Sequence, residues 1–440
     1  MILSSNLKWI VDFMDDRSFP TTIKRFWQVG STVGGLAARV AGQQYLGRDI
    51  DDVAYARELK AKLGTIKGPM MKVAQFLATI PDAIPPEYAA ELLGLQSQAP
   101  AMGIPFVRRR MAAELGADWQ THFREFDLVA RAAASLGQVH YAVDLAGQPV
   151  ACKLQYPQMQ SMVEADLSNL KLALGLYHVT NKALDTSDVQ DEIKNRLLEE
   201  LDYHHEAEQM AIYRSIFQDD PYIGVPQQYP ALSTGRLLTM EWMAGDPLLT
   251  YLNHDENFRN HIADQLFKAW YKPFYHHGVI HGDPHPGNYL VTQDGKINLL
   301  DFGCVRHFPP EFVQGVIDLY QSFLHNQPDK AVQAYEAWGF KNLSKEMIDV
   351  MNQWARVLYD PLLDNRVRPI QNNFSASAGW EAATKIHSEL HRLGGIRPPK
   401  EFVFMDRASV GLGGVFMRLR VERNWHRLFE ELIEGYPGNF

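Results

Sequence analysis

The sequence predicts an α+β fold in which a group of strands precedes most of the helices. From Phe126 to Ala130, and again from Val139 to Leu145, hydrophobic residues tend to alternate with other residues, which is the period of strands with one buried face; after a turn, Pro149 to Lys153 predicts a further strand. From Asp188 onward most segments instead place hydrophobic residues three or four positions apart, as amphipathic helices do. A run of strands followed by a run of helices is typical of the α+β class.

Composition narrows the class of protein. The chain has 440 residues with 46% hydrophobic and 22% charged content, which predicts two or three packed units rather than disorder. Its formal charge of -9 argues against nucleic acid as a partner. Cys152 and Cys304 are the two cysteines, too few for a disulfide framework, and no uninterrupted apolar stretch reaches the roughly 18 residues of a membrane span. We therefore expect a cytoplasmic protein.

Residues 1–125 are predicted to form an N-terminal helical extension. Gly30 and Gly34 form a small-xxx-small pair, which is compatible with a packed helix, with docking at a membrane surface or with a homodimer; the packed helix is preferred. Lys72 and Gln75 share the polar face of a helix whose other face is apolar. Such a face is either solvated or pressed against another site.

Residues 126–243 are predicted to form a strand-rich lobe that holds nucleotide phosphates. The loop between its first strands lies where a phosphate-covering loop is expected and contains Ala132, Ala133, Ala134 and Ser135. Lys153 ends the strand that begins at Pro149, in the register of a lysine that binds phosphate oxygens. The alternative is an ordinary surface lysine.

One predicted helix, Asp188 to Gln209, carries carboxylates that could hold this lysine. Glu200 lies next to the apolar face of the helix, whereas Asp202 and Glu206 share a different face. A phosphate-binding lysine needs a carboxylate that fixes its ammonium group, and Glu200 is the preferred candidate.

The strand predicted from Arg236 to Met243 leads into the connection between the lobes. It is followed by Ala-Gly-Asp-Pro, a turn sequence. We expect adenine to bind here, beside Met240, Glu241 and Met243.

The chemistry is predicted to centre on the stretch from Val279 to Cys304. Asp283 and Asn288 lie five positions apart on a loop rich in Pro and Gly, and Asp301 opens an Asp-Phe-Gly sequence. Asp283 could orient or deprotonate a hydroxyl, while Asn288 and Asp301 supply oxygen ligands for Mg²⁺. The runs 289–292 and 296–300 predict a hairpin that returns Asp301 to Asn288. The layout is that of kinase-like folds; the alternative is a capped polar turn.

Residues 244–440 are predicted to form a helical second lobe. Helices are expected at 262–277, 311–325, 344–358 and 401–410, the last ending in a break at Gly411, Gly413 and Gly414. Only a few residues separate Gly303 from the helix at 311, and no Ala-Pro-Glu anchor follows. Protein kinases need a long segment there to dock a peptide, so protein phosphorylation is not expected.

Three motifs together resemble the UbiB/ADCK family of atypical kinases. They are Ala-Ala-Ala-Ser-Leu-Gly-Gln-Val-His, Glu-Leu-Asp-Tyr followed by Glu206, and His-Gly-Asp-Pro-His-Pro-Gly-Asn. The resemblance implies an atypical bilobal protein-kinase-like fold whose N-terminal extension covers the active site. It further implies that Lys72 and Gln75 form an inserted gate, together with Asp202 and Glu206. Ala74 stands where the family motif has glycine, which puts close backbone approach in doubt.

The resemblance also implies a function. It predicts binding of ATP or ADP with Mg²⁺, phosphoryl transfer to water or to a small or lipid-like acceptor, and support of ubiquinone biosynthesis. Expected partners are the nucleotide, a quinone-precursor lipid and a membrane surface, with peripheral placement at a bacterial inner membrane. Two alternatives stay open, namely a small-molecule phosphotransferase of the aminoglycoside or choline kinase type and a nucleotide-gated lipid-binding scaffold.

Overall fold

The computed structural model describes residues 102–133, 136–168, 186–340, 343–370 and 400–438. Lys72, Gln75, Ala134 and Ser135 lie outside these ranges, as does the predicted pair of Gly30 and Gly34, so these assignments stay predictions. The chain divides into two compact units. Of the described residues, the first unit comprises 102–133, 136–145, 152–168, 186–202 and 235–237, and the second comprises 146–151, 203–234, 238–340, 343–370 and 400–438.

Strands and helices follow one another in the order that the hydrophobic periods predict. The strands are β1 (Phe123–Phe126), β2 (Ala132–Ala133), β3 (Gly137–Asp144), β4 (Pro149–Gln155), β5 (Ile223–Gly224), β6 (Leu237–Glu241), β7 (Asp246–Pro247), β8 (Val279–His281), β9 (Tyr289–Val291), β10 (Ile297–Leu299), β11 (Val305–His307), β12 (Arg368–Pro369) and β13 (Glu422–Arg423). The helices are α1 (Ile104–Leu115), α2 (Thr186–Glu200), α3 (Tyr203–Phe217), α4 (Glu256–His277), α5 (Pro310–Leu324), α6 (Pro328–Ala337), α7 (Lys345–Leu363), α8 (Lys400–Leu419) and α9 (Trp425–Ile433), and residues 159–168 are also helical. The predicted α+β class is confirmed.

A five-stranded sheet includes β1, β2 and β3 of the first unit. β1 and β2 both pair antiparallel with β3, and the full strand order is β1-β3-β4-β6. The first strand ends at Phe126, so the strand predicted for 126–130 is wrong. Asp127 turns the chain there, because its carboxylate accepts the Val129 N–H at 2.9 Å and pairs with Arg131 at 2.8 Å.

The helix predicted from Asp188 to Gln209 is also wrong in its continuity, because α2 and α3 are separated at Leu201 and Asp202. The Leu201 carbonyl accepts the side-chain amide of Gln155 at 2.9 Å. Asp202 N–H turns back to the Glu199 carbonyl at 3.0 Å, which is a tighter turn than an α-helix makes. The boundary between the two compact units falls at the same place, directly after Asp202.

The second unit contains the predicted hairpin and the long helices. β9 and β10 pair antiparallel, with Tyr289 opposite Leu299, which confirms the hairpin. α4 begins after Asp255, whose side chain accepts the Phe258 N–H, and ends at Gly278 with φ of 60°. α8 continues through Gly411, Gly413 and Gly414, so the break predicted there is wrong. Among the described residues, no helix combines the length and the hydrophobicity that a membrane crossing requires.

Candidate active site

His281 connects the predicted base, Asp283, to the predicted magnesium ligand, Asp301. It ends β8, is buried, and contacts the backbone of both aspartates: its Nε2 lies 2.5 Å from the Asp301 carbonyl and its Nδ1 lies 3.2 Å from the Asp283 amide nitrogen. A carbonyl only accepts and a backbone N–H only donates, so the ring carries its proton on Nε2 and accepts at Nδ1. The neutral imidazole therefore holds the start of the loop against the Asp-Phe-Gly segment.

Asn288 is held by Asp283. The amide nitrogen of Asn288 donates to both the carbonyl oxygen and the carboxylate Oδ2 of Asp283, each at 3.2 Å. The hairpin then brings the chain back, because Leu300 N–H donates to the Asn288 carbonyl at 2.8 Å. Asp301 follows directly, so the structure brings together the three residues that the sequence spacing predicted.

Asp301 has an unusual backbone conformation. Its φ is 61°, in the left-handed region that residues other than glycine rarely adopt. The carboxylate stabilises this turn, since Oδ1 accepts the Gly303 N–H at 3.2 Å. A strained conformation that is held by several contacts often marks a functional residue.

Asn288 and Asp301 are suitable ligands for a magnesium ion shared with phosphate. The nitrogen of the Asn288 amide faces Asp283, so its oxygen is the atom that could reach a cation. In the part of the chain that the structure describes, no group of three or more His, Cys, Asp or Glu side chains could hold a metal by itself. Mg²⁺ commonly takes one or two protein oxygens and completes its shell with water and substrate phosphates, and Asn288 and Asp301 could supply such oxygens.

Helix α3 supports the Asp-Phe-Gly segment from one face. The buried carboxylate of Glu206 accepts the Phe302 N–H at 3.4 Å, and Gln209 Oε1 accepts the His307 Nε2–H at 2.8 Å. Tyr213, one turn further on, places its ring centroid 5.5 Å from that of Phe302. Burial lowers the pKa of His307, and the positive charges of His205 and Arg306 lower it further. This support was not predicted from sequence; the polar pair of Glu206 and Gln209 in line with Tyr213 on one helix face is the signal that could have revealed it.

Removing the Glu206 side chain is expected to destabilise the fold. The Glu206→Ala variant leaves the buried Phe302 N–H without this acceptor. An unsatisfied buried donor lowers the free energy of unfolding of a protein by about 1–3 kcal/mol. Urea unfolding measures the change. Glu208→Ala, an exposed position on the same helix, is the control and should stay within about 0.5 kcal/mol of wild type. Equal midpoints for the two variants would contradict the supporting role of Glu206.

The segment after Gly303 returns at once to the strand that precedes the loop. β11 pairs with β8, with Val305 opposite His281, and Gly282 N–H donates to the Cys304 carbonyl at 2.9 Å. Helix α5 then begins at Pro310. The predicted brevity of this segment is confirmed, and no platform of the kind that docks peptides in protein kinases lies between Gly303 and Pro310.

In the first unit, Lys153 lies on β4 and is buried. Gln155, two positions on and therefore on the same face of the strand, holds the carbonyl of Leu201, the residue after Glu200. This hydrogen bond joins the strand of Lys153 to the end of α2, which carries Glu200. Glu200 is half-buried, and Asp202 is exposed. Their assigned roles stay predictions.

The residues predicted to flank adenine lie on or just after β6. Met240 is buried, and Met243 follows the strand. Glu241 is half-exposed. Its carboxylate accepts the Gln227 N–H at 3.2 Å and lies 3.7 Å from the Arg214 guanidinium. Ala132 and Ala133, from the phosphate-loop prediction, form the exposed strand β2.

Comparison with known families shows what this arrangement is similar to. A model of the ABC1 atypical kinase-like domain matches residues 94–335, more than half of the chain. The chain belongs to the ABC1 atypical kinase-like family. The predicted UbiB/ADCK resemblance is confirmed, and with it the atypical kinase-like fold.

Relatives of this ABC1 protein occur in eukaryotes and bacteria. It is 28% identical to atypical kinase COQ8 of Saccharomyces cerevisiae over 320 residues, which are 69% of this chain and 63% of that protein. It is 32% identical to AarF domain-containing protein kinase 1 of Xenopus laevis over 268 residues, 59% of this chain and 51% of that one. The chain thus spans less than two thirds of either relative. A solved structure, Rv3197 of Mycobacterium tuberculosis in complex with erythromycin, matches with a TM-score of 0.60 and 27% identity over 87% of this chain and 96% of that chain.

Proposed function

We propose that this ABC1 protein is an ATP-dependent atypical kinase or ATPase that binds Mg-nucleotide and transfers a phosphoryl group to water or to a small, lipid-like acceptor. The observation that carries the proposal is the His281 bridge. One neutral imidazole contacts the backbone of both Asp283 and Asp301, while Asp283 in turn holds Asn288. A base and one magnesium ligand on a loop, held beside a second magnesium ligand in the Asp-Phe-Gly segment, are the parts that phosphoryl transfer needs, because its catalysis depends mainly on positioning and charge stabilisation.

Each side chain takes one task in this proposal. Asp283 orients the attacking hydroxyl and accepts its proton, with its carboxylate kept in place by the Asn288 amide. Asn288 and Asp301 are the residues that would hold Mg²⁺, which would supply positive charge to neutralise the charge that develops on the phosphates. Lys153 contacts the α- and β-phosphates, and Glu200 holds its ammonium group.

The proposed acceptor is not a protein. The chain from Gly303 to Pro310 is short and is occupied by its pairing with β8, which leaves no segment there to align a peptide. By family resemblance the proposed role is support of ubiquinone biosynthesis or of quinone and lipid homeostasis, with ATP or ADP and Mg²⁺ as ligands. A quinone-precursor lipid at a membrane surface is the proposed partner.

Phosphate release from ATP tests this function. Turnover is measured with and without vesicles of anionic phospholipid, and with and without a phenol bearing a short alkyl chain as a quinone-precursor mimic. An increase in turnover with either addition agrees with the proposal. Transfer to choline or an aminoglycoside without vesicles would favour the small-molecule phosphotransferase, and nucleotide binding without turnover in any condition would favour the scaffold.

The alanine-rich loop is expected to control nucleotide affinity. Ala132 and Ala133 are exposed and pair with Val139 and Gln138 of β3, and glycine at either position would add the φ > 0 conformations that alanine avoids. Ala132→Gly and Ala133→Gly should each change the dissociation constant for ADP severalfold, measured by calorimetry. Ala146→Gly, in the exposed turn after β3, is the control. Affinities that match wild type at both loop positions would count against the loop assignment.

A further inference from the structure

Two glycines of helix α8 have contrasting surroundings. A methyl group added at Gly411 would lie 2.2 Å from Cγ of Pro284 and 3.3 Å from its Cβ. A methyl group added at Gly414, within one helical turn, would meet no atom of the described residues within 4 Å, apart from its own helix and chain neighbours. Gly411 is therefore a point of close approach between the C-terminal helix and the residue that follows Asp283.

The helix cannot move away from this contact easily. On α8, Leu412, Val415 and Phe416 are buried, and the Phe416 ring centroid lies 4.8 Å from that of Trp425 and 6.4 Å from that of Phe267 on α4. The Arg259 guanidinium of α4 donates to the carbonyl of Leu419 and, at 2.9 Å, to that of Arg420. Close-packed aromatic contacts and a bridging arginine at the helix end keep α8 in place against α4.

We expect the loop of Asp283 to Asn288, rather than α8, to move when a side chain is added at residue 411. Pro284 is half-buried and both His285 and Gly287 are exposed, although Pro286 between them is buried, so the Pro284 end of the loop has less packing than α8 to oppose a displacement. Its shape depends on hydrogen bonds of 3.2 Å between Asn288 and Asp283. A displacement of Pro284 passes directly to Asp283 through the peptide bond and changes these contacts.

We infer that Gly411 is a positioning residue, through which helix α8 sets the position of the catalytic loop. The inference rests on the proposed function, because it assigns Asp283 a task in phosphoryl transfer. It explains why α8 carries glycine at a position inside a continuous helix, where glycine disfavours the helical state. Only a residue without a side chain lets Pro284 approach this closely.

The test compares Gly411→Ala with Gly414→Ala. Both substitutions improve helix propensity in the same helix, so they differ mainly in the contact with Pro284. Gly411→Ala should lower kcat for ATP turnover by about 10- to 100-fold, since a misplacement near 1 Å can have this effect, with a smaller change in KM. Gly414→Ala should keep both constants within about twofold of wild type. Equal kcat values for the two variants would overturn the inference.

A second substitution, Pro284→Ala, should restore the activity that Gly411→Ala removes. Pro284→Ala removes the Cγ and Cδ atoms that a methyl group at residue 411 would meet, so the double variant should regain the kcat of Pro284→Ala alone. If Gly411→Ala does not fold, the double variant should still fold. A double variant whose loss equals the product of the two single losses, or that also fails to fold, would overturn the inference.

Hydrogen exchange separates this inference from the proposed function. Gly411→Ala should accelerate exchange of the Asp283 and Asn288 amides at least about tenfold over Gly414→Ala, whether or not nucleotide is present. If wild type turns over no ATP but the exchange rates differ in this way, the proposed function fails while the contact stands. If wild type turns over ATP and the exchange rates and kcat of the two variants agree, the inference alone fails.

Discussion

Asp301→Asn is expected to abolish the stabilisation of this protein by Mg-ATP. The substitution removes the negative charge of one proposed magnesium ligand and keeps its size. Asparagine tolerates the left-handed conformation that Asp301 adopts at φ of 61°, and its side-chain oxygen can still accept the Gly303 N–H. The fold around residue 301 should therefore survive while cation binding does not.

Thermal unfolding with and without Mg-ATP measures this effect. At a nucleotide concentration about 100 times the dissociation constant, wild type should gain about 2.7 kcal/mol, and Asp301→Asn should lose most of that gain. Asp294→Asn is the control, since this carboxylate is exposed in the turn between β9 and β10. Persistence of the stabilisation in Asp301→Asn would show that the metal assignment is wrong.

Asp283→Asn is expected to remove turnover while it leaves nucleotide binding nearly unchanged. An amide at residue 283 cannot take a proton from the attacking hydroxyl, and loss of a general base lowers rates by about 10²- to 10⁴-fold. The backbone contact with His281 is independent of the side chain, and the new amide oxygen can still accept the Asn288 donor. The loop should thus keep its shape.

Single-turnover phosphate release and calorimetric titration with ADP separate the two effects. A fall in turnover with an ADP affinity within about threefold of wild type is the expected result. If affinity falls in parallel with turnover, Asp283 acts in nucleotide binding rather than as a base. Unchanged turnover would remove Asp283 from the proposed chemistry.

Short-range patterns predicted the parts of the site that are close together in sequence. Asp283 and Asn288 share one loop, and the two runs that form β9 and β10 differ in residue type from the turn between them. A hairpin reverses the chain within a few residues, so its pairing follows from local preferences. The return of Asp301 beside Asn288 could therefore be predicted from the sequence.

Contacts between distant segments could not be predicted in this way. At the break between α2 and α3 the Leu201 carbonyl accepts the side-chain amide of Gln155, 46 positions away, and the Phe302 amide donates to Glu206, 96 positions away. The local hydrophobic period predicts one continuous helix here, because it contains no information about hydrogen bonds to another element. Of the three carboxylates that sequence reasoning placed on one helix, Glu200 ends α2, Asp202 lies in the break and Glu206 lies on α3.

The sequence by itself determined the fold class, the family and the residue types of the proposed phosphoryl-transfer site, because these depend on hydrophobic period, turn chemistry and motif spacing. Only the tertiary structure decided what holds the site in place. His281 joins Asp283 to Asp301, α3 supports Phe302, and Gly411 lets α8 meet Pro284. The segments in these contacts are not related by the repeat of one helix or strand. Only the tertiary structure therefore shows that they meet.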